Sequence, residues 1–375
     1  MSKYLITFKP VDTFFFGQEN KYRKKRNIKG KDVYEAEYYQ VSSYFPQQTT
    51  VLGMLRYFVL LQNNQVPIKN KTEAIDLIGE CSFNLNGTGL NFGKIKSLSP
   101  VFIIHNNKKY MPNPLDLILK SKNKSNSKSE KQIEPLKYKE KTLKTNLQNQ
   151  ESQILYFSEY DEKEGLSRFL LNMKDQEDYL VYDKEENKDK YVFEKVEKVG
   201  ITKDQDKKGY YKQVLYKFKD TDTSFACIGD LDMNLDASKK YKAFLGAEKS
   251  LFEIEFKECK DEFKNLVVLQ EFNQPKVVLL SDAFIEDDNS DYLFSISKTI
   301  PFRFLISEIG KTKSFGKFNT EDGLSRTDRF NLYQRGSVFY FDDTNLLTDF
   351  TKRLKTGKKE KNFYKIGYNH FLTIE

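Results

Sequence analysis

The chain has 375 residues and a net charge of +8 at pH 7, with 23 tyrosines and 31 phenylalanines. This length predicts two domains with a sizeable core, and the positive charge favours a polyanionic partner, nucleic acid first and an anionic membrane second. No stretch approaches the roughly 18 uninterrupted apolar residues of a membrane-spanning helix. The N-terminal ten residues also carry charge where a signal peptide would be apolar. We therefore expect a cytoplasmic protein with no membrane partner.

The first predicted element is a strand in KYLITFKPVDTFFF, which alternates and then becomes aromatic. It leads into KYRKKRNIKGK, residues 21–31, with seven basic residues and no acidic residue. Arg23, Lys24 and Arg26 in this segment are candidate phosphate contacts. The alternative is a solvated loop over about residues 18–40.

The segment SSYFPQQTTVLGMLRYFVLL predicts an apolar helix that begins after Thr49 and Thr50, both suitable N-caps. Gly53 costs about 1 kcal/mol relative to alanine inside a helix, and Arg56 adds a charge three residues later on the same face. One account is a tolerated glycine beside an arginine that snorkels to solvent. The other is a face that contacts a partner.

A second helix is predicted over about residues 72–79. Residues 120–150 are polar, repetitive and rich in lysine. This composition predicts an inserted, partly disordered basic loop, for which solvation is the simpler explanation and RNA contact the alternative.

Residues 199–216 predict a long β-hairpin whose tip lies near Gly209. Basic and aromatic residues interleave along it, which is typical of surfaces that bind unpaired RNA. Lys207, Lys208 and Tyr210 are therefore candidate RNA contacts.

The last third of the chain mixes short strands with helices. Strands are predicted in FACIGDLDM, FLGAEKSLFEIEF, KVVLLSDAFI, GSVFYFD and KIGYNHFLTI, and helices in DEFKNLVVLQEF and around residues 344–356. No run of alternating βα units occurs. We therefore expect an α+β fold with antiparallel sheets rather than a doubly wound fold.

The segment LSRTDRFNLYQRGSVFYF carries Arg326, Arg329 and Arg335 just before a predicted strand. Arginine pairs with phosphates through a fixed fork, so a loop could present these side chains to RNA. A salt-bridged surface explains the same pattern equally well.

The segment IGYNHF lies close to the C-terminus. Gly367 would let a backbone approach a phosphate, while Tyr368, Asn369 and His370 add one stacking and two hydrogen-bonding side chains. An ordinary turn between two strands is the alternative.

Signals for catalysis or a metal are weak. Neither of the two histidines lies in a nucleophile motif, and no H-E-x-x-H or Walker A sequence occurs. The aspartates of IGDLDMNLD do not have EF-hand spacing, and GTGLNFG does not fit a dinucleotide fingerprint, so we interpret it as a turn. The three widely spaced cysteines indicate buried thiols rather than disulfides. We expect no cofactor and no metal.

Seven segments follow one another along the chain, and their order is more specific than any one of them. They are KPVDTFFFG, SSYFPQQTTVLGMLRYFVL, SLSPVFIIHNNKKYMPNPLDL, VGITKDQDKKGYYKQVLY, FLGAEKSLFEIE, RGSVFYFD and a closing GY. Together they resemble the family of the Cmr-type subunit three of the type III-B CRISPR interference complex, within the RAMP superfamily. The resemblance spans most of the chain and leaves out the 120–150 insertion.

This resemblance implies two ferredoxin-like (RRM-like) domains with antiparallel sheets. The first would span residues 1–225, with long insertions at 18–40 and 120–150, and the second residues 226–375. The hairpin at 199–216 would correspond to the thumb-like hairpin of related backbone subunits.

The resemblance also places Gly367 and Tyr368 in the glycine-rich loop of the family. Relatives often continue with glycine there, whereas this chain continues with Asn369. At residues 281–283 the chain has SDA where TPA is more usual, and we expect no chemical consequence. In such a fold, the face of the first helix with Gly53 and Arg56 would be exposed to RNA or to a neighbouring subunit.

The implied function is a noncatalytic subunit that holds the 5′ tag of the CRISPR RNA. It would contact the large polymerase-like subunit and the RAMP backbone subunits, and target RNA only indirectly. One alternative is a metal-independent RAMP endoribonuclease that processes CRISPR RNA with His370, assisted by Tyr368 or Lys365. A further alternative is an adaptor protein with incidental basic loops.

Overall fold

The computed structural model describes most of the chain, namely residues 2–17, 24–28, 31–35, 38–85, 87, 89–121, 131–136, 138–144, 151–157, 168–184, 187, 190–204, 207–246, 249–260, 263, 275–286, 292–309 and 324–374. The helices in these ranges are α1 (Gln48–Gln62), α2 (Lys71–Ile78), α3 (Thr344–Thr356) and α4 (Glu360–Lys365).

The strands of the first half are β1 (Ser2–Pro10), β2 (Lys24–Ile28), β3 (Lys31–Glu35), β4 (Tyr38–Val41), β5 (Ile95–Leu98), β6 (Phe102–His105), β7 (Lys108–Pro112), β8 (Leu117–Ser121), β9 (Lys131–Pro135), β10 (Tyr138–Lys144), β11 (Glu151–Phe157), β12 (Phe169–Asn172) and β13 (Tyr179–Val181). Those of the second half are β14 (Phe193–Asp204), β15 (Lys207–Phe218), β16 (Thr223–Leu231), β17 (Tyr241–Leu245), β18 (Ser250–Glu258), β19 (Lys276–Leu279), β20 (Phe294–Ile296), β21 (Thr299–Phe302), β22 (Leu305–Ser307), β23 (Leu324–Arg326), β24 (Phe330–Tyr333), β25 (Val338–Tyr340) and β26 (Phe371–Ile374).

The largest sheet is built around β1. It has the order β13-β12-β7-β6-β16-β1-β18-β17, with β5 also paired to β16. Tyr4 of β1 lies opposite Gly229 on one side and Glu258 on the other, in antiparallel register. The domain boundary predicted after residue 225 lies inside β16, and this sheet continues across it to residue 258. That boundary therefore does not separate two sheets.

One face of this sheet carries the main core. Side chains of β1 alternate between buried and half-buried, as expected for a strand covered on one face. The Phe8 ring lies 5.6 Å from Phe225 and 6.3 Å from Phe252, centroid to centroid. Burying each such ring contributes about 1.5–3 kcal/mol to stability. Many of the aromatic residues of the sequence lie in this core.

Helices α1 and α2 pack on this face. Phe58 of α1 stacks on Phe256 of β18 with centroids 5.0 Å apart. α1 begins at Gln48, with Gln47 at its N-cap, so the predicted caps Thr49 and Thr50 lie within its first turn and that prediction is wrong. The second helix, predicted over about 72–79, is confirmed by α2.

A second sheet has the order β20-β25-β19-β26, and all its pairings are antiparallel. It confirms the strands predicted in KVVLLSDAFI, GSVFYFD and KIGYNHFLTI. α3 confirms the helix around 344–356 and buries Leu347, Phe350 and Leu354 in the core of this half. α4 was not predicted, and the helix predicted in DEFKNLVVLQEF lies outside the described residues except at Phe263.

Two segments expected to be loops contain strands. Within residues 18–40, β2 pairs with β3, and β4 runs parallel to β15. In and beside residues 120–150, β8 pairs with β9 and β10 with β11. The described parts of the second insertion, which we expected to be partly disordered, thus contain strands, and the rest of it lies outside the described residues. Strand pairing satisfies backbone groups whatever the side chains are, and polar composition does not exclude it.

The expected α+β class with mainly antiparallel sheets is confirmed. The three cysteines form no disulfide; Cys227 is buried, whereas Cys81 and Cys259 are only half-buried. Among the described residues, no helix is long and apolar enough to span a membrane.

Candidate nucleic-acid interface

The glycine loop at residues 367–370 lies inside the protein. Gly367 has a φ of +95°, and a Cβ there would meet the Ser99 carbonyl oxygen at 2.5 Å, so only glycine fits. Its carbonyl oxygen accepts a hydrogen bond from Gln48 Nε2 at 3.3 Å. The close backbone approach predicted for Gly367 is thus made to segments of the same chain.

Tyr368 is fully buried at the start of α1. Its ring lies 5.9 Å from Phe302 and 5.5 Å from Phe363. Its hydroxyl donates to Gln47 Oε1 at 2.9 Å and accepts from the Thr49 backbone N–H at 3.5 Å, where helical N–H groups have no helical partner. Burial raises the pKa of this hydroxyl. In this conformation the ring offers no face to an RNA base.

Asn369 and His370 are also engaged by the fold. Asn369 Oδ1 accepts from the Phe284 backbone N–H at 2.7 Å, and its Nδ2 donates to the Phe284 carbonyl oxygen at 2.9 Å. The half-buried His370 ring stacks on Tyr364 with centroids 4.1 Å apart. Burial lowers the pKa of His370 to about 4, so the ring is neutral at pH 7.

Arg335 is buried in an ion pair. Its Nε lies 3.3 Å from Asp282 Oδ1 and its Nη2 lies 3.4 Å from Oδ2. The guanidinium carbon lies 4.8 Å from the centre of the Phe45 ring. The fork predicted to hold a phosphate therefore holds a carboxylate, and the prediction of a loop-presented arginine is wrong for this conformation. The SDA segment has a consequence after all, since Asp282 is its central residue.

Arg56 is buried as well, with 7% of its surface exposed. Its Nε donates to the Ile78 carbonyl oxygen at 3.1 Å and its Nη2 to that of Gly79 at 3.3 Å. A cation at the C-terminus of α2 is favourable, and burial lowers the pKa of Arg56 only to about 10. Arg56 thus caps α2, and its predicted exposure is wrong.

Gly53 lies on the solvent side of α1. A Cβ built at Gly53 would have no neighbouring atom within 4 Å. The half-buried Tyr57 and Leu61, which is 42% exposed, follow at four-residue intervals. Gly53 and Arg56 therefore do not share an exposed face; the glycine faces outward and the arginine inward.

Aromatic rings anchor the hairpin of β14 and β15 at its base. Phe193 lies opposite Phe218, with ring centroids 5.5 Å apart. Tyr44 stacks on Tyr216 at 4.5 Å. Because these rings join the main core, the base of the hairpin has a fixed position on the sheet.

The distal part of the hairpin is rich in basic residues. Val199, which is 71% exposed, lies opposite Lys212, and five further residue pairs follow towards the tip. Residues 198–212 contain five lysines and two aspartates. Tyr39 of the adjacent β4 is 54% exposed, and the Lys212 ammonium lies 5.9 Å from its ring centre. Cations beside exposed rings are what an unpaired RNA strand requires.

The remaining predicted contacts are placed by backbone position. Arg23 lies outside the described residues, and Arg329 is exposed between β23 and β24. The others lie on strands: Lys24 and Arg26 on β2, Lys207, Lys208 and Tyr210 on the distal part of β15, and Arg326 at the end of β23. The predicted residues therefore come from several different elements, and the glycine loop is a further, separate segment.

Sequence reasoning missed the partners that hold the buried candidates. Gln47 and Gln48 bind the glycine loop, and Asp282 binds Arg335. The only available signals were two adjacent glutamines at the start of an apolar helix and an aspartate after a buried strand.

The aspartates considered for an ion site have other partners. These are Ser97 for Asp230, Lys94 for Asp232 and Ser238 for Asp236. In the part of the chain that the structure describes, no group of three or more His, Cys, Asp or Glu residues is placed to hold a metal ion.

Comparison with known proteins identifies the family. The family model described as CRISPR-associated protein (Cas_Cmr3) matches residues 6–375. The chain belongs to this family. The resemblance inferred from seven ordered segments is thereby confirmed over nearly the full length.

Solved structures similar to this family member include two cryo-EM structures of the Type III-B Cmr-beta, one bound to cognate target RNA and one to cognate target RNA and AMPPnP in state 1. In each, the similar chain is 14% identical with a TM-score of 0.47, and the alignment covers 98% of this chain and 96% of the other. No curated protein matches the chain.

Proposed function

We propose that this chain is a noncatalytic RNA-binding subunit of a type III-B CRISPR interference complex. It holds the 5′ tag of the CRISPR RNA and bridges the large polymerase-like subunit to the RAMP backbone subunits, so that it meets target RNA only indirectly. The family match over residues 6–375 carries this proposal.

The hairpin of β14 and β15 supports a role in RNA binding. Its aromatic base fixes its position, while Lys212 lies beside the exposed Tyr39 ring. Unpaired RNA is held by stacking on aromatic faces and by cations that follow its backbone. This surface suits a single-stranded tag and requires neither metal nor histidine.

Each half of the fold supports the proposal of two ferredoxin-like units. In the first, α1 and α2 pack on a sheet in which β1 lies between β16 and β18. In the second, α3 packs on a sheet in which β19 lies between β25 and β26. A central strand between two antiparallel neighbours, with helices on one face, is common to both.

The absence of catalysis is part of the proposal, and the positions of three candidate residues support it. The His370 ring stacks on Tyr364, and burial keeps it neutral at pH 7. The Tyr368 hydroxyl is bound at the start of α1, and Lys365 Nζ donates to the Leu90 carbonyl oxygen at 2.7 Å. An acid–base mechanism needs its groups within reach of one proton, and these groups have separate partners.

Reconstitution of the complex tests the proposed role. CRISPR RNA is assembled with the other subunits, with and without this chain, and the 5′ tag is probed with a nuclease. We expect protection only when the chain is present, and loss of binding when the tag sequence is scrambled. Equal protection of the tag in a complex that lacks this chain would refute the proposal.

A cleavage assay tests the noncatalytic assignment. The purified chain is incubated with repeat RNA in EDTA, and we expect no specific product. Specific cleavage that is lost in His370→Ala would instead establish a metal-independent endoribonuclease.

A further inference from the structure

Two lysines from distant parts of the chain converge on the glycine-containing loop at residues 89–93. Lys96 lies on β5, and its Nζ donates to the Gly93 carbonyl oxygen at 2.8 Å. Lys365 ends α4, and its Nζ donates to the Leu90 carbonyl oxygen at 2.7 Å. One short loop thus binds two ammonium groups that are far apart in sequence.

Neither ammonium group forms an ion pair with a carboxylate among the described residues, although the charge of Lys96 also acts on the Asp232 carboxylate. By contrast, the neighbouring Lys94 pairs with Asp232 at 3.1 Å. Burial, and then the charge of Lys96, lower the pKa of Lys365. Folding therefore brings two like charges together at this loop, at a free-energy cost that a bound anion would relieve.

The loop is open at one of its glycines. A Cβ built at Gly89 would have no neighbouring atom within 4 Å, and its φ is +69°. Lys365 Nζ lies 5.5 Å from the centre of the Phe92 ring, which supports its stem from one side. Each ammonium has three N–H donors and donates one to the loop, so donors remain for an incoming anion.

We propose that Lys96 and Lys365 bind a phosphodiester of the RNA backbone at the 89–93 loop. An exposed ion pair contributes only about 0–1 kcal/mol, too little to retain a free phosphate. A strand already held elsewhere on the protein presents its phosphates at high effective concentration. The inference rests on the proposed function in taking RNA as the ligand, and it adds a second contact, distinct from the hairpin.

The test measures the affinity of the full chain for a single-stranded RNA oligonucleotide that contains the tag, as a function of salt. In Lys96→Gln/Lys365→Gln, glutamine keeps an amide donor for the loop but removes the charge. We expect about tenfold weaker binding and a salt slope shallower by about 1.4, at about 0.7 per lost phosphate contact. The matched control Lys94→Gln, whose lysine is already paired, keeps the wild-type slope. An unchanged slope in the double variant would overturn the proposal.

A second measurement needs no variant. Wild-type protein is acetylated with and without the same oligonucleotide, and modified lysines are identified by mass spectrometry. Protection of Lys96 and Lys365 but not Lys94 supports the site, and equal modification overturns it. Protection by inorganic phosphate but not by RNA would also overturn it, since the site would then be one for a small anion.

The oligonucleotide with a scrambled tag separates the two proposals. If it binds as tightly as the tagged one while the double variant still weakens both, tag recognition fails and the phosphate site stands. If the tag is recognised but the double variant binds normally, only the phosphate site fails.

Discussion

Arg335 and Asp282 form a buried ion pair that joins two parts of the fold. The carboxylate follows β19, and the arginine lies between β24 and β25. The Arg335 backbone N–H also donates to Asp282 Oδ1, at 2.9 Å. Both side chains are almost entirely out of solvent. Removing one partner of such a pair leaves an uncompensated charge in the interior, which is costlier than losing the pair as a whole.

We therefore expect Arg335→Ala to lower the free energy of unfolding by about 3–5 kcal/mol, measured by urea denaturation. The exposed Arg329→Ala serves as the control and should change it by less than about 0.5 kcal/mol. If Arg335→Ala kept full stability but lost RNA affinity, Arg335 would be a phosphate contact instead.

Arg56→Ala should act on stability rather than on RNA. It leaves the carbonyl oxygens of Ile78 and Gly79 without their donors, and we expect a loss of about 2–4 kcal/mol in the free energy of unfolding. Arg56→Lys keeps the charge but loses the forked guanidinium. Its free energy of unfolding should therefore lie between those of wild type and Arg56→Ala. Weaker RNA retention with an unchanged melting temperature would restore the role expected from the sequence.

Gly53→Ala should stabilise the protein. The position is inside a helix, exposed, and open around the missing Cβ, so alanine adds about 0.5–1 kcal/mol to the free energy of unfolding. The same variant tests whether a partner approaches α1 here. RNA binding or complex assembly that falls while stability rises would identify a contact; unchanged assembly would show that the glycine is only tolerated.

Because the pKa of His370 is lowered in the folded chain, we expect the free energy of unfolding to decrease in mild acid. Its pKa is about 4 in the folded chain, below the ordinary 6.5, so between these values the unfolded chain binds more protons. The stability it contributes is complete above about pH 6.5 and is lost as the pH falls to about 4. In His370→Gln, the difference in free energy of unfolding between pH 7 and pH 5 should be smaller than in wild type. An identical difference would contradict the prediction.

Shortening the hairpin should separate RNA binding from folding. Gly200 lies opposite Tyr211, so an Asn-Gly turn can replace residues 201–210. The aromatic base remains, and we expect a change of less than about 0.5 kcal/mol in unfolding. RNA affinity should fall, with a salt slope shallower by up to about 2 because three lysines are lost.

A charge-only variant, Lys203→Gln/Lys207→Gln/Lys208→Gln, provides the comparison for the shortened hairpin. If the salt dependence of RNA affinity decreases equally in both variants, the decrease is due to the lost charges. If the shortened form also loses more affinity than the charge-only variant, the additional loss is due to stacking. Unchanged RNA binding in both would exclude the hairpin from the interface.

The sequence alone determined the elements whose signals are local. Alternation identified β1, and a polar turn between two basic-aromatic runs identified the hairpin, because strand periodicity and turn chemistry are encoded within a few neighbouring residues. The α+β class followed from the order of such elements, and the family followed from their ordered segments.

Only the tertiary structure decided which side of each element is buried and which residues meet. Arg56 and Gly53 are three residues apart, yet one caps α2 and the other faces solvent. Arg335 and Lys365 look alike as basic residues, but Arg335 pairs with the Asp282 carboxylate, whereas Lys365 donates to the Leu90 carbonyl oxygen beside the Phe92 ring. Such outcomes depend on contacts between residues tens to hundreds of positions apart, and composition and spacing carry no record of them.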